Sequence, residues 1–149
     1  MRWMSVAAAL MMAMLGGCTT PMSGADVSLL YEVNTSVNRA VAYVPEAAGK
    51  NEWKIAETEG DCEDIAIRKR RDLINAGFSA EKLSVLVTPG HATLLARTEA
   101  GDYVLDNNHD RLTRWTGKGR EYLPLGDKWL PRDYVLAAER TRTMMASAR

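Results

Sequence analysis

The sequence predicts an α+β fold in which a helix, carrying a nucleophile at its N-terminus, packs on an antiparallel sheet. Three observations lead there. Apolar residues recur at three- and four-residue steps up to Gly77, the mark of amphipathic helices. Beyond Gly77 the pattern changes to short apolar runs broken by turn residues, the mark of strands. At the start of the second helical stretch, Gly60-Asp61-Cys62-Glu63-Asp64 sets one cysteine among acids.

The N-terminal end reads as an export signal. One positive charge at Arg2 precedes an apolar run from Val6 to Leu15, too short for the roughly 20 residues that span a bilayer. The run closes on Leu15-Gly16-Gly17-Cys18, which resembles the lipobox of bacterial lipoproteins, where the signal is cut before the cysteine and the cysteine is lipidated. Residues 1–17 are therefore expected to be a signal peptide and Cys18 the lipidated N-terminus, followed by a polar linker at 18–24. An ordinary cysteine beside a signal-peptidase site is the alternative. Thr19 is not the aspartate that retains such proteins in the inner membrane, so the expected location is the periplasm, anchored by lipid to the outer membrane.

Two helices and a run of strands follow. Val27, Leu30, Tyr31, Val37, Val41 and Val44 form a helical stripe from about Ala25 to Tyr43, ended by Pro45 because the residue before proline disfavours helical angles. The second helix is expected near Asp61 to Ala76, with Cys62, Ile65, Ala66, Leu73 and Ile74 facing the core and Arg68, Lys69, Arg70 and Arg71 facing water. Gly77 supplies its left-handed stop. Strands are expected at Leu83 to Val87, His91 to Arg97 and Tyr103 to Asp106, with Pro89-Gly90 and Thr98-Glu99-Ala100-Gly101 as turns. A further short strand lies around Leu112 to Trp115, and Trp115, Tyr122, Trp129 and Leu130 read as packing residues. The tail, 131–149, is expected to hold a helix from Asp133 to about Met144. One domain, 25–130, thus precedes a C-terminal helix or tail.

Charge and cysteine content narrow the function. Acidic and basic residues balance at 19 each, so neither nucleic acid nor an anionic membrane surface is an implied partner. There are two cysteines. If Cys18 carries lipid, Cys62 has no disulfide partner, and a leftover thiol in an exported protein is a candidate for reactivity. A Cys18–Cys62 disulfide is the competing arrangement.

Cys62, His91 and Asp106 supply a thiol nucleophile, a base and an orienting carboxylate. A thiol needs such help because only the thiolate attacks. The first turn of a helix stabilises an anion through its free N–H groups and dipole. The hairpin can be checked by counting. If Arg97 and Asp102 close a four-residue loop, Asp106 lies opposite Thr93, and His91 is two residues further on the same face, a diagonal of about 7–8 Å. A slip of one residue would put the two on opposite faces. Asp61 and Glu63 act against the thiolate. Their presence suggests that a hard cation such as calcium, bound through carboxylate oxygens, offsets them; plain helix-start charges are the alternative.

The chain resembles the bacterial transglutaminase-like cysteine peptidases, periplasmic proteases whose best-understood members release large biofilm adhesins. The resemblance spans about Leu29 to Trp115. It rests on Val33-Asn34 with Val37-Asn38, Trp53, Gly-Asp-Cys-Glu-Asp with the following Ala-Ile-x-Lys-Arg, Gly90-His91-Ala92 and Val104-Leu105-Asp106-Asn107. It implies a papain-like core, Cys62 as nucleophile, His91 as base, Asp106 as its orienting partner and calcium at Asp61 and Glu63. It also implies an envelope protein as substrate and an inner-membrane receptor as regulatory partner. Ile65 and Thr93 depart from the family pattern, where an aromatic and an aliphatic residue are expected. Cell-wall peptidases of the NlpC/P60 type share the Cys-then-His order, but a small residue and glycine usually follow their cysteine. An acyl transferase of the cross-linking kind would use the same three residues. A non-catalytic envelope-binding lipoprotein would have no need of all three.

Overall fold

Helix α1 (Ser23–Ala40) opens the computed structural model, which describes residues 23–47 and 49–147. The expected signal segment, Cys18 and most of the linker lie outside the described residues. Leu30, Asn34 and Val37 make the buried stripe of α1, continued by Val41 just past its end. Tyr31 and Val44, expected in that stripe, are exposed, and an asparagine holds its middle. The helix ends earlier than Tyr43 because Ala42–Tyr43 (β1) pairs in parallel with Glu59–Gly60 (β2). That pairing carries the chain from α1 to the second helix.

Helix α2 (Cys62–Asn75) is capped by Asp61, whose carboxylate accepts the Asp64 N–H at 3.1 Å. Its inner face holds Ile65, Ala66, Lys69 and Leu73. Lys69 corrects the sequence reading, which put it on the wet side with three arginines. Four consecutive residues sweep most of a 3.6-residue turn, so they cannot all share one face.

Six strands follow: β3 (Leu83–Thr88), β4 (His91–Thr98), β5 (Gly101–Leu105), β6 (Thr113–Arg114), β7 (Arg120–Leu125) and β8 (Lys128–Pro131). They form one antiparallel sheet in the order β6-β5-β4-β3-β7-β8. The hairpin β7–β8 was not foreseen, because Pro124 in its middle argues against a strand. Pro124 is tolerated because β3 pairs only with Arg120 to Tyr122, leaving the proline beyond that ladder. Helix α3 (Arg132–Ser147) follows β8 directly and buries Val135. Leu30 of α1, Ala66 and Leu73 of α2, and Val85, Ala92, Leu94 and Leu105 of the sheet share the main core. The core thus holds the N-terminus of α2 against the start of β4. Among the described residues no helix is long and apolar enough to cross a membrane.

Candidate active site

Two local features set the thiol beside the start of β4. Gly60 precedes the cap of α2 where no side chain fits: a Cβ there would stand 2.8 Å from the Asp64 Cβ and 2.9 Å from the Ala56 Cβ. Pro89-Gly90 closes the β3–β4 hairpin, with Gly90 at φ +76°, and Thr88 pairs with His91. His91 therefore starts β4 at the mouth of the sheet. The backbone N–H of the next residue, Ala92, hydrogen-bonds the Cys62 sulfur. The thiol is half-buried and, among the described residues, in no disulfide.

The β4–β5 register is the one counted from the sequence. Arg97 pairs with Asp102 and Leu94 with Leu105, so Asp106 continues opposite Thr93. From there its Oδ1 meets His91 Nε2 at 2.9 Å. The same oxygen accepts the Asn108 backbone N–H at 2.9 Å. Burial alone would raise the Asp106 carboxyl, but the Asn108 N–H and the His91 ring, with His109 beyond, hold it below the ordinary carboxylate value. His109 Nε2 lies 4.0 Å from Asp106 Oδ2, so both histidines of the chain face one carboxylate. The bond to Nε2 leaves His91 Nδ1 as the ring nitrogen available to a proton from the thiol.

The loop that carries Asp106 is fastened by α1. Asn38 Nδ2 donates to the Asp106 carbonyl at 3.0 Å, the His109 carbonyl at 3.2 Å and Asp110 Oδ1 at 3.1 Å. Asn34, fully buried, donates to the carbonyls of His109 and Asp110 at 3.1 and 3.0 Å. Asn38 and Trp53, polar side chains upstream of the nucleophile that could serve as oxyanion donors, are both committed elsewhere. Asn38 holds the loop. The Trp53 indole N–H goes to Asn51 at 3.2 Å, and its ring packs on Tyr122 and Trp129 at 5.3 and 5.7 Å. The latch of Asn34 and Asn38 went unassigned in the sequence, although their i, i+4 spacing on one helix face was the available signal.

The acids around Cys62 have separate roles. Glu63 Oε2 accepts the thiol proton at 2.9 Å. Burial first, and then that hydrogen bond and the charges of Glu63 and Asp61, push the thiol up to about 11, against the lowering effect of the Ala92 N–H. Asp64, buried, accepts the Lys54 backbone N–H at 2.9 Å and ties the preceding loop to α2. Burial and the neighbouring Glu63, Asp64 and Glu46 carboxylates raise Asp61, against the Asp64 N–H. Asp61 and Glu63 thus offer hard oxygen donors in a neighbourhood with surplus negative charge, the donor chemistry that suits calcium. Among the described residues no three His, Cys, Asp or Glu side chains are arranged as ligands, since Asp61 caps the helix and Glu63 turns to the thiol.

A family model described as bacterial transglutaminase-like cysteine proteinase matches residues 15–140. The chain belongs to that family. It is a cysteine peptidase of the transglutaminase-like kind. Among solved structures it is similar to calcium-bound LapG of Legionella pneumophila, at 21% identity and a TM-score of 0.55, with 72% of this chain and 69% of that one covered. A second structure of the same protein matches at 20% identity and a TM-score of 0.56, covering 72% and 70%. EGTA-treated LapG matches at 20% and 0.53, covering 71% and 61%. These likenesses establish the mixed helix-and-sheet, transglutaminase-like fold. A search of curated proteins gives no match.

Proposed function

We propose that this family member is a periplasmic, lipid-anchored peptidase that cleaves an envelope or surface protein through Cys62, His91 and Asp106. One observation carries the reading: His91 is held through Nε2 by Asp106 at 2.9 Å, while the neighbouring Ala92 N–H holds the Cys62 sulfur. In the reaction, His91 Nδ1 takes the thiol proton as the sulfur attacks the substrate carbonyl carbon. The Cys62 backbone N–H, at the first turn of α2, stabilises the oxyanion. Collapse expels the amine with the proton from His91 and leaves a thioester. Water, deprotonated by His91, then releases the acid product and restores the thiol. Asp106 keeps the ring in one tautomer and stabilises the imidazolium throughout.

Calcium on Asp61 and Glu63 belongs to the same proposal. It would draw the Glu63 carboxylate from the thiol proton and offset the charge that disfavours the thiolate. The calcium-bound and EGTA-treated forms of LapG support this reading. The lipid anchor rests on the lipobox-like Leu15-Gly16-Gly17-Cys18.

The test is a thiol-directed active-site probe applied at neutral pH with calcium present. Labelling of Cys62 that is lost in His91→Ala supports the reading; equal labelling of both proteins overturns it. Mass spectrometry of envelope proteins from strains with Cys62 and with Cys62→Ser then finds the protein that is cut. Palmitate labelling should vanish in Cys18→Ser, and an unmodified N-terminus elsewhere would remove the anchor.

A further inference from the structure

Lys69, on the inner face of α2, is a side chain whose burial opposes its chemistry. It is 1% exposed, and among the described residues its Nζ has no hydrogen-bond partner. An unpaired ammonium in a protein interior is expensive, and an apolar side chain of the same length would cost nothing of the kind. The charges that act on it are those of Asp106 and Asp110, at the two ends of the loop latched by Asn34 and Asn38. Burial drops the Lys69 ammonium to about 7 against the pull of those two carboxylates. The attraction is mutual, so a charged Lys69 favours loop conformations that keep the two carboxylates near it.

Two further deficits share this neighbourhood. The Oδ1 atoms of Asn34 and Asn38 are buried without donors among the described residues, while their Nδ2 atoms bond the same loop. The loop is thus bound by two amides from α1, and its carboxylates act on one buried ammonium from α2. Resting on the reading of His91 and Asp106 as a working pair, we propose that Lys69 is a positioning residue, whose buried cation fixes the Asp106–Asp110 loop so that Asp106 meets His91 Nε2.

The experiment uses the whole protein, labelled with nitrogen-15 in histidine. The His91 Nε2–H proton, shielded by Asp106, should give a slowly exchanging downfield resonance, assigned by its loss in Asp106→Asn and its survival in His109→Gln. In Lys69→Met that resonance is expected to disappear or exchange freely while the fold persists. A resonance that stays unchanged in folded Lys69→Met makes Lys69 a packing residue and overturns the proposal. A second measurement keeps Lys69 in place, in case the variant does not fold. In Asp106→Asn the carbon-13 titration of the Lys69 Cε should move to lower pH, because a carboxylate that favours the charged form is gone. A titration that does not move overturns the proposal as well. Both readouts are independent of peptide cleavage. If the wild type cleaves nothing while the resonance is lost in Lys69→Met, the catalytic reading falls and the positioning role stands.

Discussion

His91 Nε2 and Asp106 Oδ1 lie 2.9 Å apart, and this bond decides which ring nitrogen is left for a proton from the thiol. With Nε2 engaged, Nδ1 is the nitrogen left to serve as the proposed base. Asp106→Asn can hold the ring in place but supplies an amide where a carboxylate is needed, favouring the wrong tautomer. The expected result is a fall in kcat of up to about 10⁴, the scale seen when a triad carboxylate becomes an amide. His91→Ala and Cys62→Ala should leave no measurable turnover. Melting curves close to wild type for all three would assign the losses to chemistry. Full activity in His91→Ala would remove the base from the mechanism.

Cys62 donates to Glu63 Oε2 at 2.9 Å, so the resting thiol is held neutral. Its value of about 11 means that, without calcium, alkylation by iodoacetamide should keep rising through alkaline pH and level off only near that value. Glu63→Gln removes both the anionic acceptor of the thiol proton and the charge that repels the thiolate, and each change lowers the thiol pKa. The alkylation curve should therefore move to lower pH in Glu63→Gln, and calcium should move the wild-type curve in the same direction. Curves that coincide with and without calcium would reduce Asp61 and Glu63 to helix-start charges.

Much of this site was legible in the sequence because its parts are local or fixed by counting. The cap at Asp61 and the start of α2 follow from residue types within one turn. The approach of His91 to Asp106 follows from a hairpin whose turn residues are visible, since strand pairing has a period of two. Lys69 and the Asn34–Asn38 latch were not legible. Their partners lie about 70 residues away for the asparagines, and nothing in a Lys69-Arg70-Arg71 run says which cation turns inward. The β7–β8 hairpin was hidden for a different reason: Pro124 reads as a breaker until the partial ladder beside it is known.

Asn38 makes three hydrogen bonds with one nitrogen, all to the loop that carries Asp106. Asn38→Ala takes the side-chain donor from the Asp106 carbonyl and Asp110 Oδ1 and leaves the His109 carbonyl to Asn34, at a cost of about 1–3 kcal/mol in stability. It also frees the loop, so kcat should fall more than KM rises. Asn38→Asp should be worse in both respects, because a carboxylate cannot donate and would sit against Asp110 Oδ1. Denaturation in urea checks the first effect and steady-state kinetics the second. Wild-type kinetics in a destabilised Asn38→Ala would confine the latch to folding.

Lys69 should also leave its mark on stability against pH. An unfolded lysine titrates near ~10.4, whereas the folded side chain does so at about 7. Between those values the unfolded chain holds a proton that the folded chain has released, so stability contributed by Lys69 rises with pH across the window. The slope is at most about 1.4 kcal/mol per pH unit. Below the folded value both states are charged and the cost of burying the ammonium is felt in full. Cys62 works in the opposite direction at higher pH: an unfolded thiol ionises near ~8.5, the folded one at about 11. The clean window for Lys69 therefore runs from about pH 7 to about 8.5. Urea midpoints should rise with pH there in the wild type more than in Lys69→Met. The variant should hold its largest advantage at the acid end, where wild type carries the buried charge. A protein made more stable yet less able to hold His91 against Asp106 would separate the cost of this cation from its use. Parallel stability curves for the two proteins would mean that Lys69 reaches solvent as readily folded as unfolded.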